Sequence, residues 1–192
     1  AAIQLGLSVK WATMNIGATV VEEGGKYFAW GEGEEKETYM WDNYHDGNSR
    51  TTLTKYCESE EYGTVDNKAI LDLWDDAAYM IWGGKWRMPT YNEWDELLRN
   101  STWTWVEQNG VKGVRVRSTK NGNCTFLPTT GYKVGADLNY KDDIVGFYVF
   151  DAWYELQKEL LDLIFASMRQ ANLYGKANYQ LEPRGVHPTL EP

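Results

Sequence analysis

The sequence predicts one α+β domain, with two short helices and an irregular mixed sheet. A capped helical stripe begins at Thr90, and a run of period-two alternation extends from Thr102 to Tyr132. Periods of 3.6 and of 2 in one short chain place helices and strands together. Aromatic residues make up 15% of the chain, with ten Trp and thirteen Tyr. Disordered chains avoid aromatics, so most of this chain must fold. At 192 residues and 22.1 kDa, one domain is the expectation. Surface scaling leaves about 9,000 Å² exposed out of about 32,000 Å², so a core forms without disulfides.

The elements follow in order. Val9-Lys10-Trp11-Ala12 alternates, Gly17 and Gly24-Gly25 punctuate, and Lys26 to Gly31 reads as another strand. Residues 32–66 are polar, acidic and tyrosine-rich, which predicts a long surface loop anchored by Tyr39, Trp41, Tyr44 and Tyr56. Asp72 or Asp75 can cap a short helix through Ala77, Ala78 and Ile81, and Gly83-Gly84 ends it. Thr90 caps a second helix, with Glu93 completing a capping box and Trp94, Leu97 and Leu98 forming its apolar stripe. Trp103/Trp105, Val114/Val116 and Thr125-Phe126-Leu127, separated by Asn109-Gly110 and Asn121-Gly122-Asn123, read as a meander. Residues 147–181 fit either of two patterns. As a helix, Trp153, Leu156, Leu160, Ile164 and Met168 share a face; as strands, Leu161 to Phe165 alternates.

Composition excludes several function classes. The net charge is −9, and the 19 Lys and Arg are scattered among 28 Asp and Glu. A nucleic-acid partner needs a basic footprint, so none is expected. No apolar run reaches the roughly 18 residues needed to span a bilayer, so no membrane insertion by this chain is expected. No signal-peptide pattern is present, and the opening Ala1-Ala2-Ile3 suits a mature or trimmed form. Cys57 and Cys124 match no metal spacing and read as small buried residues, with one bridge as the alternative.

Several ordered segments carry a resemblance. They include Leu5-Gly-Leu-Ser-Val-Lys-Trp-Ala-Thr13, Tyr27-Phe-Ala-Trp-Gly-Glu32 and Leu53-Thr-Lys-Tyr-Cys57, then Gly63-Thr-Val-Asp-Asn67 and Asp75-Asp-Ala-Ala78. The strongest are Trp82-Gly-Gly-Lys-Trp-Arg-Met-Pro-Thr90, Glu93-Trp-Asp-Glu-Leu97, and Phe126-Leu-Pro128 followed by Gly131-Tyr132. Over about residues 3 to 148 the chain resembles the Fibrobacter succinogenes major paralogous domain, a family of bacterial surface domains common in gut Bacteroidetes. The resemblance implies a C-type-lectin-like fold of the formylglycine-generating-enzyme type. Variable proteins of diversity-generating retroelements use that fold and carry a hypervariable ligand-binding surface in their C-terminal part.

The C-terminal stretch departs from the family pattern. Gly146-Phe147-Tyr148 is kept, but Val149-Phe150-Asp151 stands where Trp-Ser-Ser is usual. Leu163 to Ser167 matches the middle strand, and Arg184-Gly-Val-His-Pro188 approximates the ending, with His187 in place of Arg. A faithful frame with a departing tail suggests that 149–182 is a diversified surface; a true helix from Asp151 to Asn172 is the competing account. Tyr148, Phe150, Trp153, Tyr154, Tyr174 and Tyr179 offer large contact area at low rotamer cost. Asp151, Arg169, Gln170, Asn172, Lys176 and Asn178 add adaptable hydrogen bonds, so the set resembles a paratope; an ordinary half-buried surface is the bland alternative.

Catalytic constellations are thin. Asp75/Asp76, Asp95/Glu96 and Asp142/Asp143 are adjacent pairs whose side chains point apart, which seldom makes a two-carboxylate site; Asp75/Asp76 reads as a helix cap and Asp142/Asp143 as a solvated loop, with a calcium ligand as the alternative. A lectin-type calcium site would need a Glu-Pro-Asn or Gln-Pro-Asp loop and a Trp-Asn-Asp strand; Trp41-Asp42-Asn43 reverses that order. His45 and His187 lack Cys or His partners at metal spacing and read as surface or packing residues. The oxidase relatives use a cysteine pair near their C-terminal core, and no Cys follows Cys124. Trp74, Trp82, Trp86, Trp94, Trp103 and Trp105 suggest a sugar platform, but Trp86 and Trp94 lie in the scaffold block and read as core. Arg87 reads as a buried ion-pair or backbone partner before Pro89, and Glu93 as the cap of Thr90.

The expectation is a non-enzymatic ligand-binding domain, an adhesin or receptor-binding module, that needs no cofactor or metal. Its partner would be a protein or glycan on another cell or host surface. Its place would be a cell surface, the extracellular space or a phage particle. A structural module of a larger surface protein, or an oxidase relative, are the alternatives.

Overall fold

The computed structural model describes residues 1–49, 51–68 and 70–139. Within them the protein is α+β, with two short helices and antiparallel sheets. β1 (Ala2–Ile3) pairs with β2 (Trp11–Ala12). α1 (Ala77–Trp82) and α2 (Tyr91–Arg99) follow the long loop. β3 (Ser101–Gln108), β4 (Val111–Ser118) and β5 (Cys124–Pro128) form one three-stranded meander, and β6 (Tyr132–Val134) pairs with β7 (Asp137–Asn139). Every ladder between these strands is antiparallel, so among the described residues the sheets are antiparallel rather than mixed.

The meander forms as its alternation predicts. Trp103 faces Val116 and Trp105 faces Val114, which in turn faces Leu127. Val114 and Val116 are buried while Arg115 and Arg117 are exposed, the pattern of a sheet with one wet face. Asn109 (φ 49°) and Gly110 (φ 79°) both enter the left-handed region, the turn whose twist matches a two-residue hairpin. The core is Leu5, Leu7, Leu97, Val114 and Val116, with Trp94, Trp103 and Trp105 packed against it.

Gly113 of β4 is glycine for space. A Cβ there would stand 2.4 Å from the Leu127 carbonyl oxygen and 2.4 Å from the Phe126 ring. Gly113→Ala is expected to lose about 2 kcal/mol through overpacking, measured as a lower denaturation midpoint with an unchanged m-value.

The loop of residues 32–66 builds a second core. Tyr39, Tyr44, Leu53 and Cys57 are buried together with Ala29, and Trp41, Tyr27 and Tyr62 pack against them. Tyr56 is buried as well, so all four aromatic anchors expected here pack inward or partly inward.

Lys26 to Gly31 is not a strand. Lys26 N–H donates to the Ile16 carbonyl, and three further backbone groups are taken by side chains of the loop rather than by a ladder. The Tyr39 hydroxyl donates to the Tyr27 carbonyl, the Tyr44 hydroxyl to the Trp30 carbonyl, and the Tyr27 N–H to Glu35. Val9 and Lys10 likewise stay outside β2.

The cap of α1 is Asp76, so the Asp75/Asp76 pair does supply a helix cap, while neither Asp72 nor Asp75 is the capping residue. Asp72 instead precedes a 3-10 turn, Leu73–Asp75, and gives no side-chain cap bond. Cys57 is buried but Cys124 is exposed at the start of β5, opposite exposed Arg117, and both thiols are free. Thus the buried reading is corrected for Cys124. No helix among the described residues is long and apolar enough to cross a membrane. The helix and strand alternatives for 147–181, the Asp142/Asp143 loop and His187 lie outside the described residues.

Candidate functional site

The block Trp82 to Thr90 joins the two helices and forms one wall of a cleft. Gly83 (φ 65°) and Gly84 (φ 66°) are successive left-handed residues, a path that side-chain-bearing residues resist. Gly83 also closes α1 by donating to the Tyr79 carbonyl at 2.7 Å. The turn brings Trp86 back onto Trp82, edge to face with centroids 5.1 Å apart.

Two carboxylates pin the rest of the block. Asp76 is 3% exposed, and its Oδ1 accepts from Ala78 and Tyr79 N–H at 2.9 and 3.1 Å. Its Oδ2 accepts from Met88 N–H at 2.7 Å, so one side chain both caps α1 and holds the connection. Burial pushes the Asp76 carboxyl above the usual range despite these three donors.

Glu93 is the second carboxylate. It accepts from Thr90 N–H at 2.8 Å while the Thr90 hydroxyl accepts from Glu93 N–H, a complete capping box. Arg87 meets it with two bonds, Nη1 to Oε2 at 2.8 Å and Nη2 to Oε1. Burial alone would raise the Glu93 carboxyl; the Arg87 guanidinium and the Thr90 bonds outweigh it and hold the group below its ordinary range. The Arg87 side chain is 39% exposed, so the pair is a rim pair with an inner carboxylate rather than a buried one, while its Nη1 also donates to the Met88 carbonyl at 3.1 Å, the backbone contact expected before Pro89.

The cleft has a volume of about 570 Å³. Trp11, Phe28, Trp82, Trp86, Trp94 and Phe126 supply its aromatic lining. Trp94 also packs on the core and meets Trp11 edge to face at 4.9 Å. Trp86 is only partly buried; it is wall rather than core, a correction forced by the Gly83-Gly84 turn. Pro89 and Thr90 sit where the chain enters α2, partly buried.

The cleft's electrostatics reverse those of the chain. Its lining, among the described residues, includes Lys10, Lys26, Lys85, Arg87 and Lys133 but a single carboxylate, Glu93, already held by Arg87. Lys133 Nζ stands 5.1 Å from the Tyr27 ring centre and 5.6 Å from that of Tyr39. Both phenols line the cleft with their hydroxyls committed, to the Thr130 carbonyl at 2.6 Å and to the Tyr27 carbonyl. Burial pushes Tyr39 up to about 12 and Tyr27 upward, so both stay neutral. The arrangement can stack flat groups and attract negative charge. Among the described residues no three His, Cys, Asp or Glu side chains converge to hold a metal ion.

Of the scaffold residues read from sequence, Trp86, Arg87, Pro89, Glu93 and Trp94 line this cleft, and Thr90 is tied to it through Glu93. His45 is a surface residue, its ring 72% exposed beside Asp46. All twelve ligand-binding candidates, Tyr148 through Tyr179, lie outside the described residues. Sequence reasoning missed the bridging role of Asp76 and the lysine rim. For the rim there was no signal, because Lys26, Lys85 and Lys133 are separated by 48 or more residues. Comparison with family models, curated proteins and solved structures gives no match to this chain.

Proposed function

We propose that the chain is a ligand-binding domain of C-type-lectin-like architecture, in which residues 3–148 are a frame and 149–182 a recognition surface for a protein or glycan. The observation that carries this reading is how the Trp82–Thr90 block spends its polar groups. Asp76, Arg87, Thr90 and Glu93 are all engaged with one another or with backbone, which is what a frame requires. Frames of this kind leave recognition to another segment. The residue mixture from Tyr148 to Tyr179, rich in Tyr with Arg, Asn and Gln between, suits that task. Outside a cell or on a phage particle is where such a domain would work.

Glycan and protein arrays probed with the full chain test the reading. Once a ligand is found, Trp153→Ala, Tyr174→Ala and Tyr179→Ala are each expected to weaken binding about tenfold or more. Unchanged affinity in all three overturns the assignment of the surface.

A further inference from the structure

We infer that the aromatic cleft is a second binding site, for a small organic anion with a flat apolar body. The inference does not rest on residues 149–182. The cleft's size falls in the range of small-molecule sites, and its walls are aromatic. Charge complementarity then selects the occupant. Acidic residues outnumber basic ones 28 to 19 in the chain, yet five cationic side chains and one carboxylate line the cleft. A lining that ran against so acidic a chain repels cations and draws in anions.

The cations are available. Lys26, Lys85 and Lys133 form no ion pair among the described residues, whereas Lys36, Lys55 and Lys68 elsewhere are each paired with a carboxylate. Glu93 is neutralised by Arg87, so it does not oppose an incoming anion. Glu35 accepts the Tyr27 N–H and is not part of the lining. Lys133 is additionally steadied over two tyrosine rings, which lowers the ordering cost of using it. A flat body would lie against the tryptophan walls with its charge at the lysine rim.

Isothermal titration of the full chain with indole-3-acetate and with its uncharged twin, indole-3-acetamide, tests this. The acetate is expected to bind saturably, about tenfold or more tighter than the amide, because a charged hydrogen bond separates them. The double variant Lys26→Gln/Lys133→Gln, at one exposed and one half-buried position and with its fold checked by circular dichroism, should bring the two probes to within about threefold. The acetate should lose more affinity than the amide in that variant. Equal affinity of the two probes for the unaltered chain overturns the proposal. So does the absence of saturable acetate binding, whatever fills the cleft in its place. Failure of the array experiment above leaves this result standing, and the reverse holds too.

Discussion

Asp76→Ala is expected to destabilise the protein by about 3 kcal/mol, the largest single-residue effect outside the cores. The side chain satisfies three N–H groups, two at the start of α1 and one at Met88. Loss of an N-cap costs about 1–2 kcal/mol. The Met88 N–H then loses a charged acceptor, worth about 1.5–3 kcal/mol. Burial offsets part of this, since it pushes the Asp76 carboxyl up and the charge is held at some cost. Asp76→Asn separates the contributions. Its Oδ1 can still cap α1, but an amide NH₂ would face the Met88 N–H, so about half the loss should remain. Urea denaturation measures both variants. An alanine variant within about 0.5 kcal/mol of the parent would mean that these N–H groups find other acceptors.

The second large effect is at Glu93, and it depends on pH. Glu93→Ala removes the bidentate Arg87 pair and the return bond of the capping box, and about 2 kcal/mol should be lost at pH 7. The carboxyl is held below its ordinary range in the folded protein. As pH falls, the unfolded chain therefore takes up this proton first. Its contribution is complete above the ordinary carboxylate range and is lost as pH falls through the lower folded value. The gap between the parent and Glu93→Gln should thus narrow as pH falls from about 5 through and below the ordinary carboxylate range. A constant gap across that interval would contradict the pairing. Arg87→Leu makes the converse test: with the cation gone, only the Thr90 bonds oppose burial, and the Glu93 carboxyl should titrate higher than in the parent by NMR.

These two carboxylates differ in how well their roles could be read beforehand. Thr90 and Glu93 sit three residues apart before an apolar stripe, and the capping box needs nothing beyond those neighbours. Asp76 shows only that an acid precedes Ala77-Ala78; nothing local distinguishes it from Asp72 or Asp75. What selects it is Met88, twelve residues on, which reaches its second oxygen only after Gly83-Gly84 has turned the chain. Lys26 to Gly31 shows the same limit in reverse. Its composition suits a strand, but a ladder needs a partner with free backbone, and the tyrosine hydroxyls of the loop arrive instead.

The amino-acid order by itself determined what neighbours within a few residues decide: the cap at Thr90, the stop at Gly83, the Asn109-Gly110 hairpin and the alternation of β3 and β4. Those features rest on φ preferences, capping bonds and side-chain period, which are local quantities. Only the tertiary structure decided that Trp86 is a wall, that Arg87 is a rim pair, and that lysines scattered through an acidic chain face one cleft. Proximity between distant residues follows from how whole elements pack, and charge acts through that proximity rather than through position in the chain.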